Sequence, residues 1–159
     1  MPSVQTMSPP SAGGDVTIRD ARPGDTTAVV QLDERITGFA KPTYWRDVFE
    51  GRSLRDAGVV LVAEAAADGS VVGFIIGEVR AWEFGSPPCG WIFAIGVDPD
   101  SRLSGVGSRL FAAICTRFRQ GGITTVRTML ARDNMLIMSF FRSQGMTAGS
   151  FIEMETTLE

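Results

Sequence analysis

The sequence predicts an α/β fold in which helices flank a mixed central β-sheet. Apolar residues make up 44% of the 159 residues and charged residues 21%, a balance typical of a chain that folds around an ordinary core. The middle of the chain alternates β-branched runs with turn residues, whereas residues 106–119 repeat apolar side chains at helical spacing. Strands and helices that alternate in this way form layered α/β domains.

Each predicted element has start and stop signals. Predicted helices begin at capping residues such as Asp25 and Asn134 and end at glycines such as Gly121 and Gly145. They occupy about 25–33, 44–49, 106–119 and 134–144. Predicted strands are bounded by Gly, Pro, Asn or Asp. They occupy 16–18, 59–66, 71–81, 91–97 and 124–131, with short closing runs at 146–147 and 151–158.

The chain length predicts one domain, because compact domains typically hold about 100 to 200 residues. Residues 1–14 are rich in Pro, Ser and Gly and predict a flexible tail, which leaves 15–159 as the domain. A closing strand that pairs between subunits has the same sequence pattern as one that pairs within a chain. A homodimer and a monomer therefore both stay open.

Charge and residue types exclude several kinds of function. Fifteen basic and 18 acidic residues give a net charge of −3, so neither nucleic acid nor an anionic membrane is an expected partner. The sequence contains no run of about 18 apolar residues, so no membrane span is predicted. The absence of histidine excludes histidine-based nucleophile systems and metal sites, and no metal is expected. Two cysteines without CxxC spacing predict reduced thiols, and the cytoplasm is the expected location.

The segment 97–107 carries the strongest functional signal. It predicts a strand that ends in a loop with Gly105 and Gly107 and then opens a helix, an arrangement that binds phosphate through backbone N–H groups. Residues 102–132 contain six arginines and no acidic residue, which favours an anionic ligand. A Rossmann site lacks its third glycine and its acidic residue, and a P-loop lacks Gly-Lys-Ser/Thr. The alternative interpretation is a strand-to-helix turn in which the small residues serve packing alone.

These residues resemble the GCN5-related N-acetyltransferase (GNAT) superfamily. Its signature, Arg or Gln, two residues, Gly, one residue, then Gly or Ala, after a strand ending in Val-x-Pro, is matched by Val97-Asp98-Pro99 and Arg102 to Gly107. Asn134 through Phe141 to Gly145 resembles the second family motif. The element order agrees over about 16–158. The resemblance implies a GNAT-like fold that binds acetyl-CoA. The implied donor-binding residues are Ile95, Val97, Arg102, Leu103, Ser104, Gly105, Val106, Gly107, Ser108, Arg109, Asn134 and Phe141.

The resemblance also implies direct attack of a primary amine on the thioester, with a strand N–H at positions 95–97 stabilising the oxyanion. Family members often carry a tyrosine acid where this chain has Phe141, and several carry a glutamate base where it has Trp91. Glu83 is the first candidate base and Glu78 the second. The implied acceptor-side residues are Tyr44, Trp45 and Trp82. The expected function is an acetyl-CoA-dependent N-acetyltransferase; the alternative is a CoA-binding regulatory or scaffold protein that has lost catalysis.

Overall fold

The computed structural model describes residues 14–52, 54 and 58–159, and it contains a five-stranded sheet. Strand order in the sheet follows chain order. The strands are β1 (Val16–Asp20), β2 (Val59–Ala65), β3 (Val71–Arg80), β4 (Cys89–Val97) and β5 (Val126–Thr128). Neighbours pair antiparallel except β4 and β5, which are parallel. The predicted mixed sheet is confirmed.

The described part of the chain also contains four α-helices and three 3-10 turns. The helices are α1 (Thr26–Thr37), α2 (Pro42–Phe49), α3 (Val106–Gln120) and α4 (Met135–Ser143), and the turns are Pro23–Asp25, Glu83–Gly85 and Pro99–Ser104. The chain divides into two compact units, one ending at Thr128 and one beginning at Met129. The single-domain assignment stays a prediction, and the predicted tail lies outside the described residues except Gly14. Among the described helices, none has the length and apolarity needed to cross a bilayer.

Helices α1 and α2 pack on one face of the sheet. Side chains alternate between the faces of a strand, so Phe74 and Ile76 of β3 point to the same side as Val62 of β2. These three are at most 1% exposed and join Leu32 of α1 and Trp45 of α2 in one apolar cluster. This core covers the first part of β3, and the face continues past it to the last residues of that strand.

Helix α3 packs on the opposite face, where glycines make room for it. A Cβ added at Gly90 would lie 2.4 Å from Cδ2 of Phe118, and one added at Gly77 would lie 3.0 Å from Cζ of the same ring. The Phe118 ring therefore rests directly on the backbone of β3 and β4. Leu110 and Ile114 of α3 are fully buried beside it.

Asp25 ties β1 to the start of α1. Its carboxylate accepts two hydrogen bonds from the Arg19 guanidinium, at 2.8 and 3.0 Å, and one from the Arg22 N–H at 2.7 Å. Arg19 also donates to Glu64 of β2 at 2.7 Å. Asp25 occupies the predicted cap position of α1, but its side chain makes no cap hydrogen bond to that helix. It instead holds the preceding turn against the sheet.

Replacement of Asp25 by Asn is expected to lower the free energy of unfolding by about 1–3 kcal/mol at pH 7, because the Arg19 guanidinium loses its charged partner. The hydrogen bonds from Arg19, then the Arg22 N–H, hold the pKa of Asp25 below its ordinary value. A depressed folded-state pKa stabilises the protein above the unfolded value of about 3.9, and this stabilisation is lost as pH falls through the folded value. Urea unfolding at pH 7 and pH 3 measures this; an equal difference at both pH values would contradict it.

The end of the chain departs from the prediction. Residues 146–159, which were expected to supply the closing strands, form no strand within the part of the chain that the structure describes. Ile152, Met154 and Leu158 are more than 80% exposed. A β-rich pattern becomes a strand only when a neighbour accepts its hydrogen bonds, which a linear pattern does not specify. For the same reason the predicted strand 124–131 shortens to three residues in β5.

Candidate functional site

The glycine loop lies where the sequence predicted it, between β4 and α3. Asp98 follows β4 and its carboxylate accepts from the Asp100 N–H at 3.0 Å, which caps the turn. Gly105 then takes a left-handed conformation with φ of 74°, and α3 begins at the next residue. No side chain caps this helix at Gly105, and a Cβ added there would meet nothing within 4 Å. No side chain at residue 105 therefore competes for the first N–H groups of α3, an arrangement that suits a phosphate.

The predicted donor-binding side chains of this loop have different environments. Val106 is fully buried, so only its backbone can face a ligand. Ser108 and Arg109 are exposed on the first turns of α3. The Arg109 guanidinium lies 3.9 Å from the Asp15 carboxylate, a weak surface pair that leaves it accessible. The side chains of Arg102, Leu103 and Ser104 lie outside the described part of the structure.

Strand β4 has an irregular second half. It pairs with β5 only over Gly90 to Ile92, and β5 ends at Thr128. In the pairing with β3, Ile76 faces Ala94 and Gly77 faces Ile92, so Phe93 is the extra residue of a β-bulge. Beyond this bulge, the β4 edge that contains Ile95 and Val97 has no partner among the strands described. Its backbone groups can bind an extended ligand.

A polar cluster occupies the α1 and α2 face of the sheet beyond these helices. Glu78 of β3 and Arg127 of β5 both pair with Trp91 of β4, so the three side chains share one face. Glu78 is only 4% exposed. The Arg80 guanidinium lies over the rings of Trp91 and Phe93, at 4.6 and 4.9 Å from their centroids, and its Nε is 3.4 Å from Oε1 of Glu78. We call Glu78, Arg80, Trp91, Phe93 and Arg127 the β3–β4 cluster.

The loop after β3 holds the other predicted acidic candidate in a strained backbone. Glu83 is exposed, between Trp82 and Phe84, which have φ values of 63° and 48°. Such left-handed conformations cost bulky residues roughly 1–3 kcal/mol each and concentrate at functional sites. Trp82 is 68% exposed and Phe84 completely exposed. The Ser86 hydroxyl contacts Nη1 of Arg127 at 2.6 Å, which places the loop beside the β3–β4 cluster.

The predicted acceptor-side aromatics Tyr44 and Trp45 have different environments. Trp45 is 1% exposed, packs edge-on against Phe74 and donates from Nε1 to Asp33 at 2.9 Å, so its ring belongs to the core. The same carboxylate is 2.8 Å from Lys41 Nζ. Tyr44 is 42% exposed. Burial, then the charge of Asp33, raises the pKa of Tyr44, so its hydroxyl stays protonated near neutral pH. Tyr44 is the accessible member of the pair.

The second motif forms a regular helix in the unit that begins at Met129. Asn134 caps α4, because its side-chain oxygen accepts from the Ile137 N–H at 3.2 Å. Phe141 is 5% exposed and packs edge-on against Phe140. The chain then turns at Gly145, where φ is 86°. Asn134 thus has a local structural role, and its predicted contact with the donor stays a prediction, as does that of Phe141.

Sequence reasoning missed three features of this site. The bulge at Phe93 has no sequence signal, because a bulge depends on the register between two strands. The stacking of Arg80 was missed, although the spacing of Glu78 and Arg80 indicated a shared strand face. A third link, between Arg35 of α1 and Asp98 at 2.7 Å, joins positions 63 residues apart in the chain.

Comparisons with known proteins agree with this geometry. The acetyltransferase (GNAT) family model matches residues 25–146. A mycothiol acetyltransferase of Saccharomonospora viridis is 31% identical over 139 residues, which cover 82% of this chain and 45% of that protein. An L-2,4-diaminobutyric acid acetyltransferase of Nocardia farcinica is 30% identical over 93 residues, which cover 58% of this chain and 46% of that protein. The chain spans less than half the length of these curated relatives.

Solved structures show the same fold. An aminoglycoside N-acetyltransferase, AAC(6')-Iy, in complex with CoA superposes with a TM-score of 0.78 at 19% identity, covering 91% of this chain and 96% of that one. The same enzyme with a bisubstrate analogue made of CoA and acetylneamine gives a TM-score of 0.77 at 18% identity, covering 91% of this chain and 99% of that one. The predicted fold class and family resemblance are confirmed.

Proposed function

Because the chain belongs to the acetyltransferase (GNAT) family, we propose that it transfers the acetyl group of acetyl-CoA to a primary amine. The observation that carries the proposal is that β4 has no described strand partner on its β5 side beyond Ile92, and that the next helix, α3, begins after Gly105 without a side-chain cap. The β4 edge offers backbone hydrogen bonds to an extended thioester arm. The helix start offers N–H groups and positive charge to a pyrophosphate.

The residues present fit acetyl-CoA as the donor. The backbone from Leu103 to Ser108 would hold the pyrophosphate, and the space beside Gly105 lets a phosphate approach that backbone. A backbone N–H of β4 between Ile95 and Val97 would stabilise the oxyanion of the reacting thioester. The buried side chains of Val106 and Leu110 fix the start of α3 against the sheet. The donor site is therefore preorganised by the core rather than by side-chain charges alone.

Glu78 is the carboxylate best placed to act as the general base. Several family members carry a glutamate near the start of the central strand, where this chain has Trp91. Glu78 lies on β3 directly opposite Trp91 of β4, and the two side chains share one face of the sheet. Directly opposite residues have Cβ atoms about 4.5–5.5 Å apart. The Glu78 carboxylate therefore lies near the position that a glutamate in place of Trp91 would occupy. Glu83 lies on the exposed loop and is the weaker candidate.

The proposed reaction follows from these positions. An ammonium group with a pKa near 10 loses a proton to Glu78, directly or through water, and its nitrogen then attacks the thioester carbonyl. The C–N bond forms, the C–S bond breaks with its electron pair leaving on the CoA sulfur, and the nitrogen loses its second proton to water to give the neutral amide. Phe141 cannot donate a proton, so water protonates the thiolate. A thiol pKa near 8.5 makes that thiolate a tolerable leaving group without an acid.

The proposal names the class of the acceptor, a primary amine, and no particular compound. The similar proteins are named for mycothiol, L-2,4-diaminobutyric acid and aminoglycosides, which are chemically diverse. We assign an amine to this chain on that common ground, with Tyr44 and Trp82 as exposed aromatics at the acceptor side. The cytoplasmic location belongs to the same proposal and agrees with the free thiols of Cys89 and Cys115. A homodimer remains open.

Two assays test the proposed function. Thermal unfolding with acetyl-CoA, CoA, NAD and ATP should show stabilisation by the two CoA species alone, by about 2.7 kcal/mol at a hundred times the dissociation constant. Release of free CoA thiol with a panel of primary amines should then exceed the rate without amine. CoA binding without turnover of any amine would favour the regulatory or scaffold alternative. No stabilisation by either CoA species would overturn donor binding.

Replacement of Gly105 by Ala is expected to weaken acetyl-CoA binding about tenfold or more, because the added methyl group occupies the space through which a phosphate reaches the helix start. Gly69→Ala is the matched control, since Gly69 has φ of 72° and equally open surroundings in the β2–β3 turn. Both variants should lose about 1–2 kcal/mol of stability from the left-handed backbone. Titration calorimetry separates them; equal affinities for acetyl-CoA would contradict the phosphate site.

A further inference from the structure

Arg80 is held in one orientation by three groups of the β3–β4 cluster. Its guanidinium stacks on Trp91 and Phe93, and its Nε points to the buried carboxylate of Glu78. Cation–π stacking uses the flat face of the group, whereas the N–H donors lie in its plane. The stacking therefore fixes the guanidinium without consuming its hydrogen bonds.

The two terminal nitrogens of Arg80 remain available as donors. A guanidinium carries five N–H donors, of which Nε supplies one. Among the residues that the structure describes, the terminal nitrogens donate to no other group, and the side chain is 27% exposed. A planar fork of this kind matches a carboxylate with two parallel hydrogen bonds. Because Arg80 lies next to Glu78, a ligand carboxylate bound to Arg80 would be only a few bonds away from an amine of the same ligand at Glu78.

We propose that the acceptor is a primary amine that carries a carboxylate a few bonds away, with Arg80 binding the carboxylate and Glu78 receiving the amine. This rests on the proposed function and narrows its substrate class. The opposite charges of Arg80 and Glu78 match an amino-acid-like acceptor, which presents a cation and an anion together. Arg127 adds a second positive charge on the same face, on the other side of Trp91. A diamine without a carboxylate would place a cation against these arginines.

Paired amines that differ only in the carboxylate test this specificity. L-ornithine is compared with putrescine, L-lysine with cadaverine, and L-2,4-diaminobutyrate with 1,3-diaminopropane, each by CoA thiol release. The carboxylate-bearing member of at least one pair should have a kcat/KM about 10- to 100-fold higher, the range expected for hydrogen bonds between charged groups. Equal values, or preference for the diamine in every pair, would overturn the proposal.

The Arg80→Met variant separates recognition from a structural role. Methionine keeps an unbranched side chain over Trp91 but removes the donors, so the ratio of kcat/KM for the carboxylate-bearing amine to that for its diamine should fall to about one. An equal loss with both members of a pair would overturn the assignment. Arg80→Lys keeps the charge without the fork and should recover only part of the preference. Arg119→Met, on the exposed side of α3, is the control and should leave the ratio unchanged.

Acceptor binding is also measured without catalysis. Calorimetric titration of each amine into the protein saturated with CoA should show tighter binding of the carboxylate-bearing member, and Arg80→Met should remove that difference. If no amine is turned over but this binding difference is present, the transferase proposal fails and the carboxylate site stands. If amines are turned over without a binding or rate difference, the carboxylate site fails alone.

Discussion

Glu78→Gln is expected to lower kcat with a primary amine by about 10²–10⁴-fold, the usual contribution of a positioned general base. Glutamine retains the size of the side chain and an oxygen that accepts from Nε of Arg80, so the β3–β4 cluster should keep its packing. Acetyl-CoA affinity should not change, because the proposed donor site begins beyond the bulge at Phe93. Single-turnover acetyl transfer and calorimetric titration with acetyl-CoA measure the two quantities separately.

Glu83→Gln is the matched control for this result. Glu83 lies on the exposed loop after β3, whereas Glu78 is buried on the sheet face next to Trp91. The Glu83 variant should keep turnover within about threefold of the original protein. Higher pH should partly restore the Glu78 variant, because a larger fraction of the amine is then deprotonated without a base. Normal turnover in the Glu78 variant and loss of turnover in the Glu83 variant would reverse the assignment.

Phe118→Ala is expected to reduce the free energy of unfolding by about 3–5 kcal/mol, the cost of removing a buried aromatic ring from a core. Phe118 is 2% exposed and its ring covers the backbone at Gly77 and Gly90. No other part of those two residues can fill the resulting cavity, since neither has a side chain. The melting temperature should fall by roughly 6–20 °C for a chain of this size. Urea unfolding and thermal melting test it.

Phe84→Ala also removes a phenyl ring, but from an exposed position instead of the core. Phe84 is completely exposed at the strained loop, so its replacement should change stability by less than about 0.5 kcal/mol. Its effect, if any, should fall on acceptor KM, because the loop borders the β3–β4 cluster. A loss of stability similar to that of Phe118→Ala would show that the loop is part of the core rather than of the acceptor side.

The order and type of the elements were predictable because each depends on neighbouring residues. The stripe of apolar residues from Val106 to Phe118 has helical spacing and forms the buried face of α3. The β-branched runs become β2 and β3. The closing strands were not predictable from the same kind of pattern. Residues 151–158 contain suitable side chains, but strand formation also requires a partner at the correct distance.

In the candidate site, too, local features were predictable from the sequence and contacts between distant residues were not. The glycine loop is a local feature, so its position between a strand and a helix could be predicted from residues 97–107, and its binding of phosphate stays a proposal. Sequence reasoning placed Glu83 above Glu78 as the candidate base. The proposed order is the reverse, because Glu78 is buried on the sheet face next to Trp91. Trp45 shows the same limit, because an aromatic residue next to Tyr44 suited either a pocket or a core, and the structure buries it against Phe74.

The sequence by itself determined an α/β chain with a family motif that opens α3, because helix capping, glycine conformations and apolar periodicity act over a few residues. Only the tertiary structure decided which side chains meet. The register of β3, β4 and β5 brings Glu78, Trp91 and Arg127 to one face. The end of β5 at Thr128 leaves the edge of β4 beyond Ile92 without a partner among the strands described. Register depends on the packing of whole strands against α1, α2 and α3. The chemistry proposed for the acceptor side therefore depends on the folded sheet.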